Sequence, residues 1–343
     1  MNNLFEKLLD EKHTLLADGA VGTNLFAMGL QSGDAPELWN IDQPQKIAQL
    51  YRDFIDAGSD IVLTNTFGGT RYRLKLHNAQ DRVSELNIAA TKILKAEIAK
   101  SDREIIAAGS IGPTGEILAP LGDLEAEDAV AAFTEQALAL KAGGVDVIWI
   151  ETMSSSEEVE CAIKGAGEAD LPIVFTMSFD TNGRTMMGVG ASDLMALERN
   201  TRPQVHACGT NCGVGASEVV AAVLNMKSIA IDGRDPVIIA KANCGIPEFV
   251  DAKIVYTGTP EIMANYAVMV RDAGARIIGG CCGTSAEHVR AMRHALDSTP
   301  ISNPPTLDDI HRVLGTVSEG AKAQARGEHK IQSRSTGRKR RRG

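Results

Sequence analysis

No apolar run in this 343-residue chain approaches the length that crosses a membrane. The opening residues, MNNLFEKLLDEKH, lack a basic segment followed by an apolar one, so no secretory signal is expected. Cysteine is scarce, with six in the chain. In a long chain expected in the cytoplasm, that number argues against a disulfide framework and for free thiols, metal ligation or catalysis. No C-x-x-C spacing marks a thiol redox pair, and no G-x-G-x-x-G follows an early strand to mark a dinucleotide site. Aromatic residues make up only 4%. Positive charge is scarce outside the last ten residues, which hold six basic side chains; the rest of the chain sets 29 basic against 44 acidic residues. Such a body is not expected to seek nucleic acid, and the closing SRSTGRKRRRG, with nothing apolar beside it, reads as a solvated, disordered basic tail.

What is present is a repeated grammar. DFIDAGSDIVLTNTFGG, LKAGGVDVIWIETMSS and VRDAGARIIGGCCGT each read as a helix ending at Ala-Gly, a short turn, a buried strand and a polar loop. Glycine there supplies the left-handed residue that closes a helix. Continuous rather than alternating apolar strands indicate a parallel sheet covered on both faces. The pattern predicts eight strands: 14–17, 60–64, 104–109, 146–150, 172–177, 205–210, 236–242 and 275–279. Helical stretches such as 45–57, 126–142 and 259–273 separate most of them. Eight such units predict an α/β chain folded as a (β/α)8 TIM barrel over residues 1–297. Residues 298–343 then form an appendage: a Pro-rich linker, one short helix around 307–317 and the tail.

In a barrel the loops after the strands converge on one mouth. That gathers Cys212, Cys244, Cys281 and Cys282, with Cys208 just below and Cys161 elsewhere in a helix. A free cysteine is often a small buried hydrophobe, and Cys161, Cys208 and Cys244 fit that description. Cys212, Cys281 and Cys282 do not, because they sit in glycine-flanked loops. A vicinal pair can aim two sulfurs at one ion only where the strand has stopped, and Gly279, Gly280 and Gly283 allow it. Three thiolates favour zinc, with the fourth place open to substrate. Three negative ligands leave a site poor at acidifying water but suited to holding a second thiol as thiolate, a nucleophile for alkyl transfer. Two other classes remain: a vicinal-thiol redox site without zinc, and a structural zinc protein using Cys244 as fourth ligand.

GGCCGT after the last strand, GTNC after the sixth, DGAVGTNL after the first and TNTF after the second resemble the homocysteine S-methyltransferase family over residues 10–297. The resemblance implies a zinc-dependent barrel that methylates the sulfur of L-homocysteine in methionine biosynthesis, with Cys212, Cys281 and Cys282 as zinc ligands and catalytic centre. It also implies that Asp18 and Glu151 hold the substrate ammonium, and that Asn65 and Thr66 line the pocket. No cobalamin module is expected within these residues, and the methyl donor is expected to arrive separately. Similarity along the chain, including APELWN and FDTNGRTMMG, favours betaine, with S-methylmethionine and a methylcobalamin protein as alternatives. A quaternary ammonium is usually caged by aromatics, and Trp39, Phe67, Tyr72 and Phe179 are what the sequence offers. Self-association into a homo-oligomer is left open.

Overall fold

The computed structural model describes residues 3–180, 182–229, 235–250 and 253–328. The proposed tail lies outside the described residues. Eight parallel strands carry the fold: β1 (Leu15–Leu16), β2 (Ile61–Leu63), β3 (Ile106–Ile111), β4 (Val147–Met153), β5 (Ile173–Met177), β6 (Ala207–Cys212), β7 (Ile238–Ala242) and, after a hairpin of β8 (Pro247–Val250) and β9 (Lys253–Tyr256), β10 (Ile277–Gly280). Their hydrogen-bonded order, β1-β10-β7-β6-β5-β4-β3-β2, leaves β1 and β2 as neighbours across one seam. A single parallel bridge, Ala17 to Ile61, closes it. Asp60 stitches that seam: its Oδ2 accepts the Leu16 N–H at 2.9 Å, while Lys12 and Arg293 pair with the carboxylate at 2.6 and 3.1 Å. All eight expected strands are present.

Two apolar layers follow from the period of two along each strand. Leu15, Ile61, Leu63, Ile106, Val147, Trp149, Val174, Ile239 and Ile277 fill the barrel interior. Alternate residues such as Leu16, Val62, Ile148, Phe175 and Ile278 face the surrounding helices. The Ala-Gly helix ends behave as predicted: Gly58, Gly144 and Gly274 have φ of +104°, +101° and +110°, which only glycine adopts without strain. Helices Pro44–Asp56, Ala126–Gly143 and Pro260–Asp272 lie where periodicity put them. Among the described residues, no helix is long and apolar enough to cross a membrane.

Two features differ from expectation. The β8–β9 hairpin follows the loop after β7 and is not among the eight expected strands. Beyond the Pro-rich linker there are two helices rather than one, Leu307–Leu314 and Glu319–Ala325. Ser217 Oγ donates to Thr316 O at 2.9 Å and Asn225 Nδ2 to Ala321 O at 3.1 Å, fastening this segment to helix Ala216–Lys227. Polar anchors of that kind lie outside any hydrophobic period, so the second helix left no periodic signature.

Candidate metal centre

Cys212, Cys281, Cys282 and Cys244 all lie at the carboxyl ends of strands, at the same mouth. The first three form one cluster with sulfurs within 4.8 Å of one another, and Cys212 Sγ to Cys282 Sγ is 4.0 Å. Metal–thiolate bonds of about 2.3 Å place tetrahedral sulfurs roughly 3.8 Å apart, so this tripod can close on an ion with small adjustments. Two backbone features bring the sulfurs together. Cys212, the last residue of β6, has φ +63°, a left-handed conformation that turns its side chain toward β10. Cys281 and Cys282 sit in a tight turn: Cys281 N–H donates to Ala242 O at 2.7 Å and Thr284 N–H to Cys281 O at 3.1 Å. The turn therefore hangs from the end of β7.

Two asparagines bolt the loops together. Asn243 Oδ1 accepts the Cys282 N–H at 3.0 Å and its Nδ2 donates to Gly213 O at 2.7 Å, tying one cysteine loop to the other. Asn211 is fully buried beside Cys212. Its Oδ1 accepts from Thr152 N–H at 2.8 Å and Thr176 Oγ at 2.7 Å, while Nδ2 donates to Thr152 Oγ1 at 2.7 Å and approaches Cys281 Sγ at 3.6 Å. These bonds hold Thr152 at φ +62°, within a register shift of β4 between Ile150 and Met153. That shift brings Glu151, its neighbour, to the mouth.

The thiols share protons unevenly. Hydrogen bonds from Cys212 and Cys281 lower the Cys282 thiol to about 3, against the cost of burial. Cys212 is held far above its usual value by its bonds to Cys281 and Cys282 and by burial. A bare cluster thus favours one thiolate, because neighbouring negative charges oppose each other; a cation is what would let all three ionise together. Tyr256, ending the hairpin, hydrogen-bonds Cys282 and had not been singled out in the sequence.

The remaining cysteines stand apart. Cys244 is buried and its Sγ donates to Gly258 O at 3.0 Å, so it is not a fourth member of the cluster. Burial raises its thiol to about 11 and also raises Cys208 and Cys161.

Asp18 and Glu151 both face the barrel interior below the sulfurs, but in different circumstances. Asp18 is fully buried and both its oxygens are engaged, Oδ1 by Lys241 Nζ at 2.7 Å and Oδ2 by Leu63 N–H at 2.8 Å. Glu151 accepts from Ser110 Oγ at 2.5 Å, and burial pushes its carboxyl up to about 7 against the pull of Lys241. Asn65 donates to Pro36 O at 2.7 Å and Asn40 Oδ1 at 2.9 Å, and Thr66 Oγ1 donates to Ser110 O at 2.7 Å. Asn65 thus ties the loop after β2 to the β1–β2 connection, and Thr66 ties it to strand β3. Of the four aromatics, Phe179 is buried in the core, and Lys46 Nζ lies 4.5 Å from the centre of the Trp39 ring. Tyr72 packs against the core and Phe67 is exposed. Among the described residues none of the four makes a ring pair with another.

Comparison with known proteins places the chain in a family. The methionine synthase of Mycobacterium tuberculosis is 30% identical over 332 residues, covering 90% of this chain and 27% of that protein. That of Mycobacterium leprae is 28% identical, covering 83% and 24%. The chain therefore spans about a quarter of the length of these relatives. The Escherichia coli homocysteine methyltransferase MmuM, in its oxidized form, matches the fold with a TM-score of 0.69 at 24% identity, over 85% of this chain and 99% of that one. Its metallated form matches with a TM-score of 0.68. The family model for homocysteine S-methyltransferases matches residues 15–296, nearly the whole barrel, and the chain belongs to that family.

Proposed function

We propose that this protein is a zinc-dependent enzyme that methylates the sulfur of L-homocysteine to give methionine. The observation that carries the reading is the tripod of Cys212, Cys281 and Cys282 at a barrel mouth, with no fourth cysteine, histidine or carboxylate in the group among the described residues. A structural zinc site would need a fourth protein ligand. Cys244, the residue available to complete one, is bonded to Gly258 instead.

The three cysteines would hold the ion. Bound there, zinc would supply a soft Lewis acid that keeps the substrate's sulfur as thiolate. The chain's own residues do the rest. Asn211 and Asn243 fix the two cysteine loops relative to each other. Glu151, whose Oε1 is steadied by Ser110, offers a carboxylate to the substrate ammonium. Asn65 and Thr66 support the pocket by holding the loop after β2. In the reaction a sulfur–methyl bond forms as the donor's bond to that methyl breaks, the electron pair leaving with the donor.

Betaine, the donor expected from the motifs of the sequence, would leave as dimethylglycine. A second reading of the donor, a methylated corrinoid protein, has its own support. Exposed apolar side chains rim the mouth, with Phe67 after β2, Leu121 after β3, Met186 after β5, Val214 after β6 and Ile246 after β7. A small zwitterion has no use for such a rim, whereas a docking protein would cover it. The four aromatics also form no cage.

Titration calorimetry of the zinc-loaded protein with homocysteine, in buffers of different ionisation enthalpy, tests the chemistry. Near neutral pH at least about one proton should be released per thiol bound, because a free thiol titrates near 8.5 and the Glu151 carboxyl, raised to about 7, gives up a further fraction on meeting the ammonium. Tight binding without proton release would refute thiolate capture. Turnover with betaine alone, or only with a methylated corrinoid protein, assigns the donor.

A further inference from the structure

The barrel interior holds a charge that homocysteine methylation does not call for. Lys241 points inward from β7 on the same face as Ile239, with its Nζ 5.5 Å from the centre of the Trp149 ring. It is 2% exposed and donates to Asp18 Oδ1 at 2.7 Å. With Leu63 N–H on the other oxygen, Asp18 has no oxygen left without a donor. The space for this lysine is part of the fold. Gly279 pairs with Lys241 across β10 and β7, and a Cβ there would come within 3.2 Å of Lys241 Cγ and 2.9 Å of Ala17 Cβ. Glu151 differs: Oε1 takes the Ser110 hydroxyl, and Lys241 acts on it through charge alone.

An ammonium lying between two carboxylates makes two charge-assisted hydrogen bonds; beside one it makes one. Here the first carboxylate already has its cation, and that cation also repels a second one approaching Glu151. We propose that Lys241 is a specificity-determining residue that occupies the place beside Asp18 a substrate ammonium would otherwise take, so that the site distinguishes an amino-acid thiol from its des-amino counterpart only weakly. The substrate class is then small thiols ending in a carboxylate, with or without an α-amino group. The inference rests on the reading that the pocket takes homocysteine.

The experiment compares binding of homocysteine with that of 4-sulfanylbutanoate, the same thiol without its amino group, to the zinc-loaded full chain. Zinc content is measured in parallel. Wild type should bind the two within about tenfold, the scale of one remaining charged contact. In Lys241→Met, Asp18 loses its cation and only homocysteine brings a replacement, so the preference should widen to about a hundredfold or more. The variant Asp18→Asn with Lys241→Met removes both charges together and should return the ratio to about the wild-type value. This pair variant also serves if the single one does not fold. Zinc-loaded wild type that binds neither thiol overturns the homocysteine reading and this proposal with it. Wild type that prefers homocysteine by more than about a hundredfold, with the pair variant unchanged from it, overturns this proposal alone.

Discussion

Asn211→Ala is the most informative single perturbation, because this side chain braces both the strained end of β4 and the cysteine beside it. Truncation leaves the Thr152 N–H and the Thr176 hydroxyl without their acceptor inside the barrel. Each stranded donor costs about 1–3 kcal/mol. Thr152 is also a β-branched residue at φ +62°, a conformation costing about 1–3 kcal/mol that persists only where the surroundings impose it. Freed of Asn211, it can relax, which returns part of that energy but moves Glu151. The net loss of stability should be roughly 2–4 kcal/mol. Metal affinity should fall by about 10–100-fold, the usual effect of removing a group that orients ligands. Chemical unfolding of zinc-loaded and chelated protein, with competitive metal titration, gives both numbers. Thr152→Gly provides the cross-check. Glycine accepts a positive φ, so the strain vanishes together with the Oγ1 bond, and that variant should be near neutral. Unchanged stability and unchanged metal affinity in Asn211→Ala would refute the idea that this residue holds the site in shape.

Three further outcomes follow from the same geometry. Burial raises the Glu151 carboxyl from 4.5 to about 7, so the folded protein binds this proton more tightly than the unfolded chain; the resulting penalty is absent below about pH 4.5 and complete above about pH 7. Glu151→Gln should therefore be more stable than wild type by roughly 3 kcal/mol at pH 8 and no more stable at pH 4, while binding homocysteine more weakly; equal pH profiles would refute it. Cys244→Ala should retain wild-type metal content and lose about 1 kcal/mol of stability, whereas a lost ion would make Cys244 a ligand. Asp60→Ala should lose about 1–3 kcal/mol in thermal or urea unfolding, since it strands the buried Leu16 N–H at the barrel seam while Lys12 and Arg293 remain partly solvated; no measurable change would mean the Ala17–Ile61 bridge closes the seam unaided.

The strands were legible because buried parallel strands are continuous apolar runs, and the helix ends because glycine alone closes them with positive φ. The thiol cluster was legible for a related reason: cysteines flanked by glycines at strand ends cannot be core. Lys241 escaped notice because its partner Asp18 lies 223 residues away, and no local pattern reports so distant a pairing. Parity did contain a hint, since Lys241 shares the inward face with Ile239. Asn211 was hidden differently: its importance lies in the backbone it restrains at Thr152, and a left-handed threonine has no sequence signature. The β8–β9 hairpin lies within a connection, where no neighbouring barrel strand fixes its pattern.

The seam between β1 and β2 gives this fold a timetable. β1 finds its other neighbour only at β10, through Leu15–Ile277 and Leu16–Ile278, and Asp60 at the foot of β2 waits for Arg293. On a ribosome adding about 5–20 residues per second, the two hundred or so residues between β2 and β10 take roughly 10–40 s to appear. Throughout that interval the first strands have emerged with an unpaired edge and no ring to join. Edges of that kind invite pairing with other chains. A nascent barrel of this design is therefore at its most aggregation-prone just before completion, and its yield should depend on how well the cell shields that edge.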